Sequence, residues 1–382
     1  MPPGNLAAFD SLLCLDDVER AAAAVLPPPV WDFLSGGSGR ELTLAANRGA
    51  FDDIFVTPRV LRDVSSCSTD TMLLGHAASM PVAIAPMAFH RLFHPDGELA
   101  TARAAKTAGV PFTVSTLSSV PIEEVTAIGG SVWFQLYWLR EHRRTLELAR
   151  RAEDAGCCAL VLTVDIPWMG RRLHDMRNQF TLPDDVFAAH LEAAPSSAHR
   201  QALNASALAI HAAQVFAPSV TWACVEALRE STTLPLVLKG VMAPEDASRA
   251  AEFGVDAIVV SNHGGRQLDG ALPSIAALAQ AVEAAGSGCS VLLDGGVRTG
   301  SDLLKALALG AAGVLVGRPL MWGLAVAGDA GALRVLDLLA AELGDALGLA
   351  GCDDVSAAQQ LRTFHRHPDE RHYHPVDRRP TR

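Results

Sequence analysis

Five apolar runs of this sequence end on groups that can move a proton or hold a charge. VWFQLY closes on Gln135 and Tyr137, and ALVLTVD on Thr163 and Asp165 with Arg171 and Arg172 just beyond. LPLVLKG ends at Lys239, AIVVSN at Ser261 and Asn262 with His263 and Arg266 following, and SVLLDGG at Asp294. A buried charge must be paired or solvated, so core packing is a poor reason to gather arginines, a lysine, a histidine and two aspartates. A shared anionic ligand accounts for them better. Asp165 and Asp294 as a hydrolytic acid/base pair is the competing reading, but they close nonadjacent runs and have cationic neighbours. Two glycine turns add a second clue. DGGVRTG (294–300) and VGRP (316–319) each combine a glycine with an arginine, Arg298 and Arg318. Glycine lets backbone N–H groups approach a phosphate, and arginine adds charge-assisted hydrogen bonds.

The elements that must position these groups alternate regularly from residue 80 onward. Eight candidate strands lie at 81–86, 111–115, 132–137, 159–165, 234–240, 257–262, 290–296 and 313–318. Their unbroken aliphatic character suits parallel strands covered on both faces. Amphipathic stretches separate them. In 140–156 the stripe is Leu139, Leu146, Ala149 and Ala152, while 244–254 and 299–310 carry helix start and stop residues. Eight strand–helix units point to an α/β fold, a (β/α)8 TIM barrel, with chemistry at the C-terminal strand ends and phosphate after strands seven and eight. An open dinucleotide-binding sheet would carry a G-x-G-x-x-G turn after its first strand, where this chain reads IAPMAFHRLFHPDGE. Residues 1–79 are expected to form an N-terminal helical extension and 80–350 the barrel, with a mobile lid loop at about 166–218 and a C-terminal tail at 351–382. The tail from about 365, with its histidines, is expected to be frayed.

Bulk properties narrow the class. The chain has 382 residues, 49% hydrophobic and 19% charged, so a large core is expected. A net charge of −11 argues against a nucleic-acid partner. No run reaches the roughly 18 apolar residues of a membrane span, and MPPGNLAAFD lacks the pattern of a signal peptide. The seven cysteines form no pattern and read as reduced thiols of a cytoplasmic protein, with no metal site expected.

SNHGGRQLDG (261–270) resembles the active-site signature of the FMN-dependent 2-hydroxy-acid oxidases and dehydrogenases. The resemblance runs from WDFLSGGSGRELTLAANRGAF through LTVDIPWMGRR and LVLKG to LLDGGVRTGSDLLKALALGAAGVLVGRP, nearly all of 30–350. It implies that His263 takes the substrate proton, that Asp165 orients it, and that Arg172 and Arg266 clamp the substrate carboxylate. Tyr137 would hydrogen-bond the substrate, and Lys239 would stabilise negative charge on the reduced flavin ring. Pro86, Met87 and Ala88 would face the flavin, with Ser115, Gln135, Thr163 and Ser261 on its polar edge and ribityl chain. Asp294 would brace that chain, and Gly295, Gly296, Arg298, Gly317 and Arg318 would hold the phosphate. His90, His94 and His174 have no comparable support, although His90 follows the flavin-facing strand.

Two positions depart from the glycolate-oxidising members. Phe33 stands where they place a substrate tyrosine, and Leu117 where they place a tryptophan. Both changes imply a larger, more apolar pocket, and with it an aryl substrate such as (S)-mandelate or 4-hydroxymandelate, oxidised to the 2-oxo acid with O2 as electron acceptor. A dehydrogenase passing electrons to a quinone and an oxidase of aliphatic acids such as lactate are the alternatives. An FMN-dependent isoprenoid diphosphate isomerase would not need the arginine pair, and a non-catalytic flavin barrel would not keep the base. The resemblance also implies a homotetramer.

Overall fold

The computed structural model describes residues 12–191, 196–202 and 205–366. Eight parallel strands close into a barrel: β1 (Val82–Ile84), β2 (Phe112–Ser115), β3 (Val132–Tyr137), β4 (Ala159–Thr163), β5 (Leu236–Val241), β6 (Ala257–Val260), β7 (Ser290–Asp294) and β8 (Gly313–Val316). Each pairs with its sequence neighbour, and β8 pairs back onto β1. The strands are buried on both faces, which is why they lack the alternation of a half-exposed sheet. Side chains including Trp133, Val161, Val237, Val259, Leu292 and Leu315 fill the interior. A hairpin of Thr71–Leu73 and His76–Ala78 plugs the N-terminal end, where Leu73 and Ala78 join that interior layer. The other end is left for chemistry.

All eight predicted strands are present; β3 has its predicted bounds, β5 starts later and runs one residue past its predicted end, and the other six are shorter. The helices predicted at 140–156, 244–254 and 299–310 run from His142–Asp154, Pro244–Glu252 and Gly300–Ala308. The first buries Leu139, Ala149 and Ala152 of its predicted stripe and adds Thr145 and Leu148 to it. Its buried residues are Thr145, Leu148, Ala149 and Ala152, and Leu146 is only half-buried. Leu139 precedes the helix and donates its N–H to Thr145 Oγ1 at 2.9 Å, which turns the threonine face inward.

The flanking segments are more built than the sequence suggests. Before the barrel lie α1 (Leu15–Val25), α2 (Pro28–Ser35) and α3 (Leu42–Asp52), then the strand Ile54–Val56 and the plugging hairpin. Ile54–Val56 pairs antiparallel with Thr363–His365, so the first part of the expected tail is part of the fold. Cys352, Val355, Ala358 and Leu361 bury themselves there, and apolar burial holds 351–366 in place. The expected fraying beyond residue 366 and the opening MPPGNLAAFD lie outside the described residues. The expected lid loop carries helices at Leu173–Arg177 and Ala207–Val215 and buries Phe180, Leu182, Val186 and Leu191 over the barrel mouth. No helix among the described residues is long and apolar enough to cross a membrane. All seven cysteines are free, and burial pushes the Cys157 thiol up to about 12 and the Cys289 thiol up to about 11.

Candidate active site

The C-terminal ends of the strands open into a cavity of about 1250 Å³ counting its open mouth. On its wall His263 Nδ1 lies 3.0 and 3.2 Å from the two oxygens of the Asp165 carboxylate. Local backbone explains the placement. His263 itself is left-handed, at φ 59°, and opens a short 3-10 turn that Asn262 caps by accepting the Gly265 N–H at 3.0 Å. A non-glycine residue in that region is strained, of the order of 1 kcal/mol, so the surroundings must hold it. Asn262 and Asn47 exchange two side-chain hydrogen bonds of 2.8 Å, tying the turn to α3. Gly265 is obligatory, since a Cβ there would lie 2.6 Å from Leu44 backbone. Asp165 has a counterpart in Gly240, at φ 107° in a β5 bulge, where a Cβ would lie 2.6 Å from the aspartate's own Cβ.

The electrostatics suit a base. Burial pulls the His263 pKa below its ordinary value, with Lys239 and Arg172 pulling the same way and Asp165 opposing them. The ring is therefore neutral near pH 7 and free to accept a proton at Nε2, while Asp165 holds Nδ1–H. Burial alone would raise the Asp165 pKa, but the His263 interaction and Lys239 outweigh it and keep it low. Burial, and then Asp165, raise the Tyr137 pKa, so its hydroxyl stays a donor.

Facing His263 are two buried guanidinium groups. Arg172 is 7% exposed, and among the described residues no carboxylate oxygen lies within 4.0 Å of it or of Arg266. Arg266 donates to the Gly36 carbonyl at 2.6 Å and lies over the Phe33 ring at 5.3 Å, while Phe33 stacks on Phe180 at 4.9 Å. Burial first, then Arg172 and Arg318, drive the Arg266 pKa well below its ordinary value. The buried Asp175 carboxylate acts on both guanidinium groups only from beyond ion-pair distance, and buried like charges crowded with no direct ion pair mark a binding site for anions.

The rest of the predicted set also gathers here. Pro86, Met87 and Ala88 are the half-exposed residues after β1 and line the cavity, as do Phe33, Ser115, Leu117 and Tyr137. Gln135, Thr163 and Ser261 sit directly behind the wall. Ser115 Oγ donates to Gln135 Oε1 at 3.1 Å, Gln135 Nε2 to Thr163 Oγ1 at 3.0 Å, and Lys239 Nζ to Ser261 Oγ at 2.9 Å. Lys239 also pairs with Asp294 Oδ2 at 2.7 Å, leaving the buried Asp294 Oδ1 without a partner. Gly295, Gly296, Arg298, Gly317 and Arg318 line the far end.

These residues fit a phosphorylated flavin. The orphaned Asp294 oxygen suits a ligand hydroxyl, and a Cβ on Gly317 would crowd Met87 Sδ at 3.0 Å. Burial, then Arg298 and Arg172, lower the Arg318 pKa to about 10, an excess of positive charge that a phosphate would relieve. Arg318 also donates to the carbonyls of Leu34, Gly264 and Gly36, tying α2 and the histidine turn to β8. Asp302 fixes the neighbouring loop by accepting the N–H groups of Arg298 and Thr299 and pairing with Arg48 at 2.6 Å.

Asn47, Gly240, Asp302 and the cavity-lining lid residues Leu208, His211 and Phe216 did not stand out in the sequence. The lid carries no strand-end signal, and only folding brings it over the mouth. His90 is fully buried and bonded to Thr101 at 3.0 Å rather than on the cavity wall, and His174 lies 3.6 Å from Asp32 and 3.5 Å from Glu41.

A family model described as FMN-dependent dehydrogenase matches residues 22–363. The 4-hydroxymandelate oxidase of Amycolatopsis orientalis is 58% identical over 349 residues, covering 91% of this chain and 97% of that protein. The L-lactate oxidase of Nostoc sp. is 45% identical over 355 residues, covering 92% and 97%. The crystal structure of mandelate oxidase with (S)-4-hydroxymandelic acid superposes with a TM-score of 0.91 at 58% identity, covering 92% of this chain and 99% of that one.

Proposed function

Because this chain belongs to the FMN-dependent dehydrogenase family, with FMN as its cofactor, we propose that it is an oxidase of aryl (S)-2-hydroxy acids, mandelate or 4-hydroxymandelate. The reaction converts the 2-hydroxy acid and O2 to the 2-oxo acid and H2O2. The observation that carries this reading is the neutral, Asp165-oriented His263 opposite two buried guanidinium groups that form no direct ion pair among the described residues. Arg172 and Arg266 bind the substrate carboxylate, Arg266 through the planar fork that its Phe33 stack holds flat. Tyr137 donates to a substrate oxygen. His263 Nε2 takes the substrate proton, and Asp165 stabilises the resulting imidazolium, as a buried carboxylate does for other catalytic histidines.

FMN, when bound, supplies the acceptor for two electrons, which O2 then removes. Pro86–Met87–Ala88 and Ser115 are proposed to line its ring, with Gln135, Thr163 and Ser261 shaping its polar edge from behind. Lys239 and Asp294 are proposed to hold its pyrimidine edge and ribityl chain, and Gly295, Gly296, Arg298, Gly317 and Arg318 its phosphate. The aryl choice is supported by Leu117 on the cavity wall and by the similarity to an oxidase of 4-hydroxymandelate. A cytoplasmic homotetramer completes the reading, and light scattering of the purified protein tests the assembly. The lid is proposed to open for substrate exchange.

Anaerobic mixing with a panel of 2-hydroxy acids tests the reaction. Mandelate and 4-hydroxymandelate should bleach the flavin faster than lactate or glycolate, and air should restore the colour with one H2O2 per turnover. Failure of every 2-hydroxy acid to bleach it overturns the reading. Bleaching followed by slow reoxidation in air, but fast reoxidation by a quinone, makes the protein a dehydrogenase.

A further inference from the structure

The lid helix Ala207–Val215 has a second apolar side. Leu208 and Ala212 line the catalytic cavity, while Ala209, Ile210 and Ala213 line another hollow of about 690 Å³ counting its open mouth. The segment after β4 supplies more of its wall, including Trp168, which is 82% exposed. Four side chains, Ile166, Met169, Ala212 and Phe216, line both cavities and so form the partition between them. Phe216 also packs on Tyr137, ring centre to ring centre 4.3 Å. Neighbouring apolar side chains left at a surface mark a place where ligands or partners dock.

One charge faces this outer hollow. Arg140 is the one charged side chain lining it among the described residues. Its Nε donates to the Ala213 carbonyl at 2.8 Å and its backbone N–H to the Val215 carbonyl at 2.9 Å, which fixes it against the C-terminal end of the lid helix. That cap uses one of five guanidinium donors. Among the described residues the other four take no acceptor, and no carboxylate oxygen lies within 4.0 Å of the group. In a chain of net charge −11, a local cation of this kind is what draws an anion to the mouth. We propose that the outer hollow is a second binding site, for an aryl carboxylate, with the ring on Trp168, Ile210 and Phe216 and the carboxylate on Arg140. The occupant is the incoming 2-hydroxy acid or the departing 2-oxo acid, held one partition away from the reacting site. The choice of an aryl acid rests on the reading above.

Equilibrium dialysis of unreactive phenylacetate against the FMN-loaded enzyme counts the sites, while the change in flavin absorbance titrates the catalytic one. Two equivalents should bind per chain, one of them silent in flavin absorbance. Loss of an exposed charged hydrogen bond is worth about tenfold, so Arg140→Gln should weaken the silent site about tenfold and leave the flavin titration within about twofold. Ile210→Glu, which keeps the Arg140 cap, should also weaken the silent site by repelling the carboxylate, and it decides the matter if Arg140→Gln does not hold FMN. Competition on the anaerobically reduced enzyme separates the two sources. Stronger displacement of the silent equivalent by mandelate than by benzoylformate makes it an entry site, and the reverse makes it an exit site. A single equivalent in the wild type, fully accounted for by flavin absorbance, overturns the proposal, as does a silent equivalent unchanged by both substitutions. Either result leaves the aryl reading standing. If neither mandelate nor 4-hydroxymandelate reduces the wild-type flavin, the aryl reading falls, and the silent equivalent still counts for or against this site.

Discussion

Gly240 has no polar atom to offer a substrate, yet replacing it should damage catalysis through the backbone. At φ 107° its missing Cβ would lie 2.6 Å from Asp165 Cβ and 2.7 Å from its Cγ. Carbon atoms rest about 3.5–4.0 Å apart, so Gly240→Ala must push the aspartate back by roughly 1 Å. The carboxylate oxygens now stand 3.0 and 3.2 Å from His263 Nδ1, and a retreat of that size takes them out of hydrogen-bond range. A hydrogen bond to a charged group contributes about 1.5–3 kcal/mol, which corresponds to roughly 10–100-fold in the rate of flavin reduction. An alanine forced left-handed costs a further ~1–2 kcal/mol, but this falls on stability rather than on rate. The assay is anaerobic stopped-flow reduction by mandelate, with FMN content and thermal melting as folding controls. The same glycine change in an Asp165→Ala background should add little, because both act through one carboxylate. A Gly240→Ala enzyme that holds FMN and is reduced within threefold of the wild-type rate refutes the reasoning, as do independent losses that multiply in the double variant.

The remaining predictions concern the groups proposed to touch substrate. His263→Ala should keep FMN and lose about 10²–10⁴-fold in flavin reduction, measured by rapid mixing; a loss under tenfold removes His263 as the base. Because burial lowers its pKa, the acid limb of kcat/KM should lie below pH 6.5, activity falling as the ring protonates; a limb above that value contradicts the neutral-base assignment. Arg266→Met should weaken acid binding by about 2–5 kcal/mol, with Arg266→Lys rescuing poorly because an ammonium has no planar fork to lay over Phe33. Titration of FMN fluorescence or absorbance with an unreactive aryl carboxylate checks both. Leu117→Trp should refill the cavity and lower kcat/KM for mandelate more than for lactate, and an unchanged ratio would remove Leu117 from the specificity wall.

The barrel and its candidate base were legible in the sequence because both depend on local signals. A parallel strand buried on both faces must be apolar throughout, so each polar group that ends such a run announces a strand end. Eight such runs separated by helices leave few topologies, and the C-terminal rim follows. Hence Tyr137, Asp165, Lys239, His263 and Arg266 could be placed together before any coordinate was known, and the resemblance carried FMN and the acid with them. Sequence could not show which partner each group takes, since partners distant in the chain meet only across the closed barrel. Asp294, expected on the flavin, also pairs with Lys239, and Arg318, expected on phosphate, also binds three carbonyls that join α2 and the histidine turn to β8. Phe33, read as a lost hydroxyl, proves to be the middle of a stack from Phe180 to Arg266. The lid shows the same limit most clearly. Residues 166–218 have no repeating pattern, and Leu208, His211 and Phe216 become cavity wall only because apolar burial folds that segment over the barrel mouth, an energy that exists only in the assembled tertiary structure.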